Sequence, residues 1–299
     1  MKNESKYILG DPSLIKQEFT DVKLKILCCR YWRLNLWDCH DMVFPFWRIY
    51  WNKNLGGILK QSGNTHVMDS ETIYIIPPFT SFSSQYKKNH QFNQGINVSG
   101  RHMSQSDNEA QCSEQSLLHL FIHFNLGIPF DNVFPGIYKV KTTASMLERL
   151  DYLTERLKIE HSTFHVTYTL KLQSIIKEIL SNIGPELFKT LNVDHRILSV
   201  IRHIENHINE DLTNSKLAEV ANMATNSFSR LFKQKMEITL HNFIMKRKIA
   251  KSCELFSHTN KSIEEVAFDM GFSDRYHFSR VFKLITGTTP AVYKAGKFS

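Results

Sequence analysis

Residues Ser262–Lys283 read SIEEVAFDMGFSDRYHFSRVFK, and the order of residue types in this stretch decides what the C-terminal third of the chain is. Ser262 can cap a helix, and Glu265, three places on, can reach back to the amide of the cap residue, the reciprocal pattern of a capping box. Val266, Ala267 and Met270 then form an apolar stripe at helical spacing. Gly271 stands where that helix must end in a left-handed residue, a conformation that costs glycine little because it has no Cβ. Ser273 is placed to cap a second helix with Phe278, Val281 and Phe282 facing inward. Arg275, His277, Ser279, Arg280 and Lys283 are left on or near the outer side. A short amphipathic helix, a tight turn and a basic second helix form the arrangement that enters a DNA major groove.

The same pattern occurs upstream. Phe228-Ser229-Arg230-Leu231-Phe232-Lys233 and Phe278-Ser279-Arg280-Val281-Phe282-Lys283 agree at five of six positions, 50 residues apart. The supporting helices carry Leu217-Ala218 and Val266-Ala267, 49 apart, so the second copy has one more residue in its turn. Such a repeat predicts two copies of one supersecondary unit, able to address successive major-groove faces about 34 Å apart.

Working outward, the 299 residues suffice for two ordinary domains, and 42% hydrophobic and 12% aromatic residues are ample for real cores. The net charge of +8 is uneven: His195–Ser299 holds 16 Lys+Arg against 10 Asp+Glu. A basic surplus concentrated in the helical third points to a polyanionic partner. Five cysteines without a Cys-x-x-Cys spacing predict a reduced, cytoplasmic setting rather than a disulfide framework or structural zinc. The sequence has neither a signal-peptide core nor a run of 18 apolar residues, so a soluble protein without a membrane partner is expected.

The N-terminal half predicts short strands, at Phe46–Trp51, Ile58-Leu59, Ile73–Ile76 (ending at Pro77-Pro78) and Leu117–Phe124, in a small barrel or sandwich. Ser83–Gln115, rich in Ser, Asn, Gln and His, reads as a lid or a mobile loop. From Thr142 the period becomes helical. Leu147, Leu150, Thr154 and Leu157 share one stripe. A second helix over about Ser162–Asn182 has a broader apolar face (Leu170, Leu172, Ile175, Ile176, Ile179, Leu180), wide enough to suggest a homodimer seam. Gly184-Pro185 should break it. Further helices are expected over His195–Asn209, then the first unit from Thr213, a connecting helix over Leu240–Ser257, and a closing helix from Pro290 capped by Thr289.

At LAEVANMATNSFSRLFKQ, MKRKIAKSCELF and above all IEEVAFDMGFSDRYHFSRVFKLITGTTP, the sequence resembles the AraC/XylS family of transcriptional regulators. The resemblance implies an α+β protein. A cupin-like β-rich barrel with two helices (1–185) would bind an effector and dimerise, and a linker (186–194) would lead to an all-α domain with two helix-turn-helix units (195–299). It implies binding to double-stranded promoter DNA as an activator, without enzymatic activity or a cofactor, with RNA polymerase as a further partner and a homodimer as the working form. Three positions depart from the family pattern: Ala224 replaces a capping Ser, Asn222 replaces the turn Gly, and Glu237 stands where Gly commonly follows the first recognition helix. The last and the first each cost ~1 kcal/mol, so the first unit is expected to be the less rigid reader and to discriminate less.

On the first recognition helix Asn226 and Arg230 share a face, with Ser227 beside them. Arg275 and Ser279 share one on the second, flanked by Tyr276 and Arg280. Asn suits adenine and Arg guanine through paired hydrogen bonds. Lys233 and Lys283 suit phosphate. Phe228, Phe232, Phe278 and Phe282 are expected in the core. Trp32, Trp37, Phe46, Arg48, Trp51 and Tyr74 are candidate walls of a pocket for a sugar-like or anionic effector, with barrel core as the alternative role. His119 and His123, four apart in a strand, face the same way, but they lack the His-x-His and Glu companions of a metal cupin, so no metal is expected. Cys28, Cys29 and Cys39 lack the spacing of the zinc-dependent methyl acceptors that share this DNA-binding module.

Overall fold

The computed structural model describes residues 22–87, 95–128, 130–160, 162–184, 187–188 and 194–295. Nine strands form one antiparallel sheet: β1 (Lys25–Val43), β2 (Trp47–Asn52), β3 (Ile58–Gln61), β4 (Asn64–Val67), β5 (Thr72–Ile76), β6 (Ser81–Tyr86), β7 (Gly95–His102), β8 (Leu117–Asn125) and β9 (Tyr138–Lys141). The order is β4-β3-β6-β1-β8-β2-β5-β9, with β7 on the other edge of β1. The 19-residue β1 organises the sheet. It pairs with β8 over Lys25–Leu34 and with β6 over Trp37–Val43, while β7 covers its opposite edge from Trp32 to His40. Irregularities at Ile26/Cys28, Leu34/Leu36 and Cys39/Met42 bend the strand as bulges do, and the sheet curls into a half-barrel.

The strand period of two sorts side chains into two cores. In β2, Trp47, Ile49 and Trp51 face outward with Leu118, Leu120, Ile122 and Phe124 of β8. There they meet α2 (Ala144–Leu157) and α3 (Val166–Ser181) through Leu150, Leu153, Leu172, Ile176 and Ile179. The concave face gathers Trp32, Leu34, Trp37, Tyr50, Tyr74, Phe82 and Phe121. Because both faces are covered, every residue of β2 and β5 is buried.

The expected strands are present, with two corrections. The stretch read as a lid or loop carries β6, β7 and α1 (Glu109–Gln115), the last capped by Asn108; residues 88–94 lie outside the description. Leu170, part of the broad apolar face of α3, is exposed. Of the expected linker, Leu187 is fully buried and Phe188 bridges to Val133, so these two residues belong to the half-barrel's packing. Pro185, Glu186 and residues 189–193 lie outside the described set.

The helices that follow are α4 (His195–Asn206), α5 (Asn214–Val220), α6 (Thr225–Met236), α7 (Leu240–His258), α8 (Ile263–Asp269), α9 (Arg275–Thr286) and α10 (Pro290–Ala295). Two separate cores form along α7. Phe228, Phe232, Phe243, Ile201 and Leu217 fill the first; Phe256, Phe278, Phe282, Val266 and Tyr293 fill the second. Each fully buried Phe contributes roughly 1.5–3 kcal/mol of apolar transfer, so the repeated phenylalanines are structural.

Candidate nucleic-acid interface and the cavity behind it

The two units are built alike. α5 begins at Thr213, whose hydroxyl accepts from Lys216 N, and α8 begins at Ser262 in a complete capping box with Glu265. The turns that follow contain left-handed Asn222 (φ 51°) and Gly271 (φ 66°). α6 and α9 are both 12 residues long, about 18 Å of helix. They differ at their ends. Ala224 opens α6 with no side-chain cap, whereas Asp274 opens α9 and its Oδ1 accepts from the amides of Tyr276 and His277. The expected cap Ser273 instead donates its hydroxyl to Asp274 Oδ2. An acid there takes two orphan amides and complements the helix dipole, which explains why it displaces the serine. Both helices end left-handed, at Glu237 (φ 57°) and Gly287 (φ 77°).

Phe228, Phe232 and Met236 are buried under α6, as Phe278, Phe282 and Thr286 are under α9. Asn226, Ser227, Arg230 and Lys233 lie exposed on α6, and Arg275, Tyr276, Arg280 and Lys283 on α9. Tyr276 is 86% exposed. The repeat register aligns Asn226, Arg230 and Lys233 with Tyr276, Arg280 and Lys283. Arg275 occupies the place of Thr225, and Ser279, like Ser229, is only half exposed. The outward line on α9 is therefore Tyr276–Arg280–Lys283 rather than the Arg275–Ser279 pair. Among the described residues none of these arginines and lysines forms an ion pair, while nearby cations do: Arg247 with Glu205, Lys251 with Glu254 and Lys261 with Asp269. Unpaired cations in line on two like helices are suited to a polyanion.

Residues 217–296 match the family model described as a helix-turn-helix domain. Most of the helical C-terminal region is thus a helix-turn-helix domain. Among curated proteins the chain is similar to an uncharacterised HTH-type transcriptional regulator of Staphylococcus aureus strain COL, at 23% identity over 253 residues, 75% of this chain and 34% of that protein. It is also similar to the probable transcriptional regulator LumQ of Photobacterium leiognathi, at 28% over 123 residues, 41% of this chain and 48% of that protein. The chain thus spans about a third to a half of the length of these relatives. Its fold as a whole is that of ToxT from Vibrio cholerae, with TM-score 0.55 at 10% identity over 92% of this chain and 99% of that one.

The helix-turn-helix domain rests on the half-barrel through α7 and α10. Phe44 packs against Tyr293 with ring centroids 6.0 Å apart, Lys25 pairs with Glu254, and the ring of Phe79 lies under the Lys246 ammonium. Between the halves lies a cavity of about 300 Å³ lined by Arg30, Phe46, Arg48, His123, Asn125, Cys253 and Tyr293. A smaller one of about 50 Å³ continues into the concave core between Trp32, Trp37, Tyr50 and His119. Arg48 lines both.

Arg48 is 5% exposed, its guanidinium 3.2 Å from the Phe44 ring centre and 2.7 Å from the Tyr50 hydroxyl, and it has no anionic partner among the described residues. His119 Nδ1 is 2.7 Å from Asn52 Oδ1, and His123 Nδ1 is 3.2 Å from Cys28 Sγ. Burial and then the charge of Arg48 lower both histidines, His119 to about 3, and burial pushes the Cys28 thiol up to about 11. Among the described residues, Arg48 Nε, His123 Nε2 and Asn125 Oδ1 are buried without hydrogen-bond partners. Of the candidate pocket walls, Trp32 and Trp37 line the inner cavity, Phe46 the outer one, and Arg48 both. Trp51 and Tyr74 line neither. Trp51 lies an odd number of residues from Arg48 and so points to the helix-covered face, where its indole donates to Ser70 O; Tyr74 is on the concave side but bonds to Val67 O.

Proposed function

We propose that this chain is a sequence-specific transcriptional regulator, acting as an activator, that sets α6 and α9 into successive major grooves of promoter DNA under the control of its N-terminal half. The observation that carries the reading is the doubled outward line of unpaired donors, Asn226–Arg230–Lys233 and Tyr276–Arg280–Lys283. Base reading is assigned to Asn226, Ser227, Arg230, Arg275, Tyr276, Ser279 and Arg280, with Arg280 ahead of Ser279, and phosphate contact to Lys233 and Lys283. Residues 1–185, together with Leu187 and Phe188, which pack on them, form the sensing and dimerising part, and 195–299 the reader. Exposed Val166 and Leu170 on α3 (62% and 59%) support a homodimer, and an activator must engage RNA polymerase. Selection of the full chain against random duplexes tests the reading. Enriched sites should contain two short motifs about 10 base pairs apart; absence of enrichment would refute it.

The N-terminal half is assigned a small anionic effector. A buried arginine without a counter-charge is costly unless something pairs with it, and Arg48 stands where an apolar inner chamber meets a wider outer one. ToxT structures hold an unsaturated fatty acid in one case and a naphthalenyl butenoic acid in another. A monocarboxylate with an apolar body fits the same logic here. Thermal-shift titration with carboxylic acids of graded chain length checks it, and a flat response across the series would favour a half-barrel that only dimerises or contacts a protein.

A further inference from the structure

The half-barrel touches the first helix-turn-helix unit through the loop after β8. Ile128 packs against the core of that unit. Beside it Asp131, 6% exposed, accepts hydrogen bonds on Oδ1 from Trp47 Nε1 and Leu126 N, each at 2.9 Å, while its Oδ2 is buried without a partner among the described residues. Asp131 lines a cavity of about 330 Å³ whose other walls include Phe79, Met236, Glu237, Phe243 and Arg247. Its burial therefore depends on both halves of the chain.

We propose that this seam is a proton-linked contact, held closed by the neutral carboxyl of Asp131 and loosened when that carboxyl ionises. The charged groups facing it are few. From α7, Arg247 approaches but is engaged by Glu205 of α4 through two bonds of 2.6 and 2.8 Å, and Lys246 sits over the Phe79 ring. Glu237, at the end of α6, shares the cavity. On the half-barrel side, among the described residues, its hydrogen-bond partners are the Trp47 indole and the Leu126 amide, and Asn132 lines the same cavity. One shared arginine does not offset the loss of solvation: burial raises Asp131 to about 6, with Arg247 the largest opposing influence.

The sign follows from linkage. An acid raised in the closed state binds more protons there than in the open one, so closure is fully favoured below the acid's ordinary range and is lost as pH rises through about 6. If opening returns Asp131 to ordinary solvation, the closed-to-open ratio falls about tenfold between pH 5 and pH 8. Loosening at neutral pH frees the first unit from the half-barrel, so the device adjusts the less rigid of the two readers. Nothing in this depends on the effector reading.

Hydrogen exchange of the full chain, scaled for intrinsic rate at pH 5, 6, 7 and 8, tests the proposal. Peptides spanning residues 126–133 and 236–247 should lose up to about tenfold in protection across the series, while those of α9 should not. Asp131→Asn, near-isosteric and always neutral, should stay protected and flat. Glu205→Gln, at an exposed position, frees Arg247 to stabilise the ionised carboxylate and should move the midpoint to lower pH. A flat wild-type profile, a wild-type-like response in Asp131→Asn, or an unmoved midpoint in Glu205→Gln would overturn the proposal. Near-UV circular dichroism confirms that each variant is folded.

Discussion

At the scale of single residues, the proposed function assigns base reading and phosphate contact by position on the helix. Arg230 and Arg280 sit mid-helix on the outward line and offer a planar fork that can match guanine. Lys283 sits a turn further on and offers charge without pattern. Arg230→Ala or Arg280→Ala should cost ~1–3 kcal/mol on a specific duplex and relax preference at one base position. Lys283→Ala should weaken specific and non-specific duplexes alike and flatten the salt dependence by about one counterion. Fluorescence anisotropy on matched and single-mismatch duplexes distinguishes the two behaviours, and identical profiles would show the division to be wrong.

Arg48 poses a different single-residue problem. Its charge is desolvated, yet it gains a ring contact with Phe44 and a bond to Tyr50. A buried unpaired charge and a close cation–π contact of ~2 kcal/mol oppose one another. Arg48→Met should thus leave the melting temperature of the ligand-free chain within a few degrees of wild type, and should abolish any rise produced by a carboxylate ligand. A full rise in the variant would remove Arg48 from the site.

At the scale of elements, the two units share a plan but differ in finish. α9 has Asp274 at its start and Gly287 at its end, while α6 has Ala224 and a left-handed Glu237. Ala224→Ser should stabilise the first unit by about 1 kcal/mol through the missing cap, and Glu237→Gly by about 1 kcal/mol by relieving the backbone. Because the sites lie at opposite ends of one helix, the gains should add in chemical denaturation. Failure of both to raise the midpoint would show the first unit to be no softer than the second.

The elements also show what the sequence could and could not convey. Helix ends carried local chemistry, so the box at Ser262–Glu265, the turn at Gly271 and the start at Pro290 were legible. Ser273 was misread because neighbouring Asp274 is an equally good cap and only the helix axis decides between them. β1 went unread because its inward and outward residues include Arg30, Arg33, Asn35 and Asp38, which blur any alternation; Asp38 is nonetheless buried. For Trp51 aromatic character leaves pocket wall and barrel core both open, and counting from Arg48 in steps of two decides for the core. The seam at Asp131 lay beyond sequence reasoning, since it joins positions over a hundred residues apart.

At the scale of the whole molecule, α7 is the common support. Its N-terminal half packs into the first core through Phe243 and Ile244, and its C-terminal half into the second through Ile249, Cys253 and Phe256. A 19-residue helix without proline spans about 28 Å, close to the 34 Å of one DNA turn. Readers fixed to such a rod cannot adjust their phase independently. Inserting five base pairs between the two half-motifs rotates one by about half a turn and should weaken binding on the order of 100-fold, to the level of a duplex with only one motif intact. Inserting ten should not restore affinity, because the rod cannot lengthen although the phase is recovered. Two flexibly tethered readers would instead recover at ten and lose little at five, and electrophoretic titration of the three spacings tells these outcomes apart.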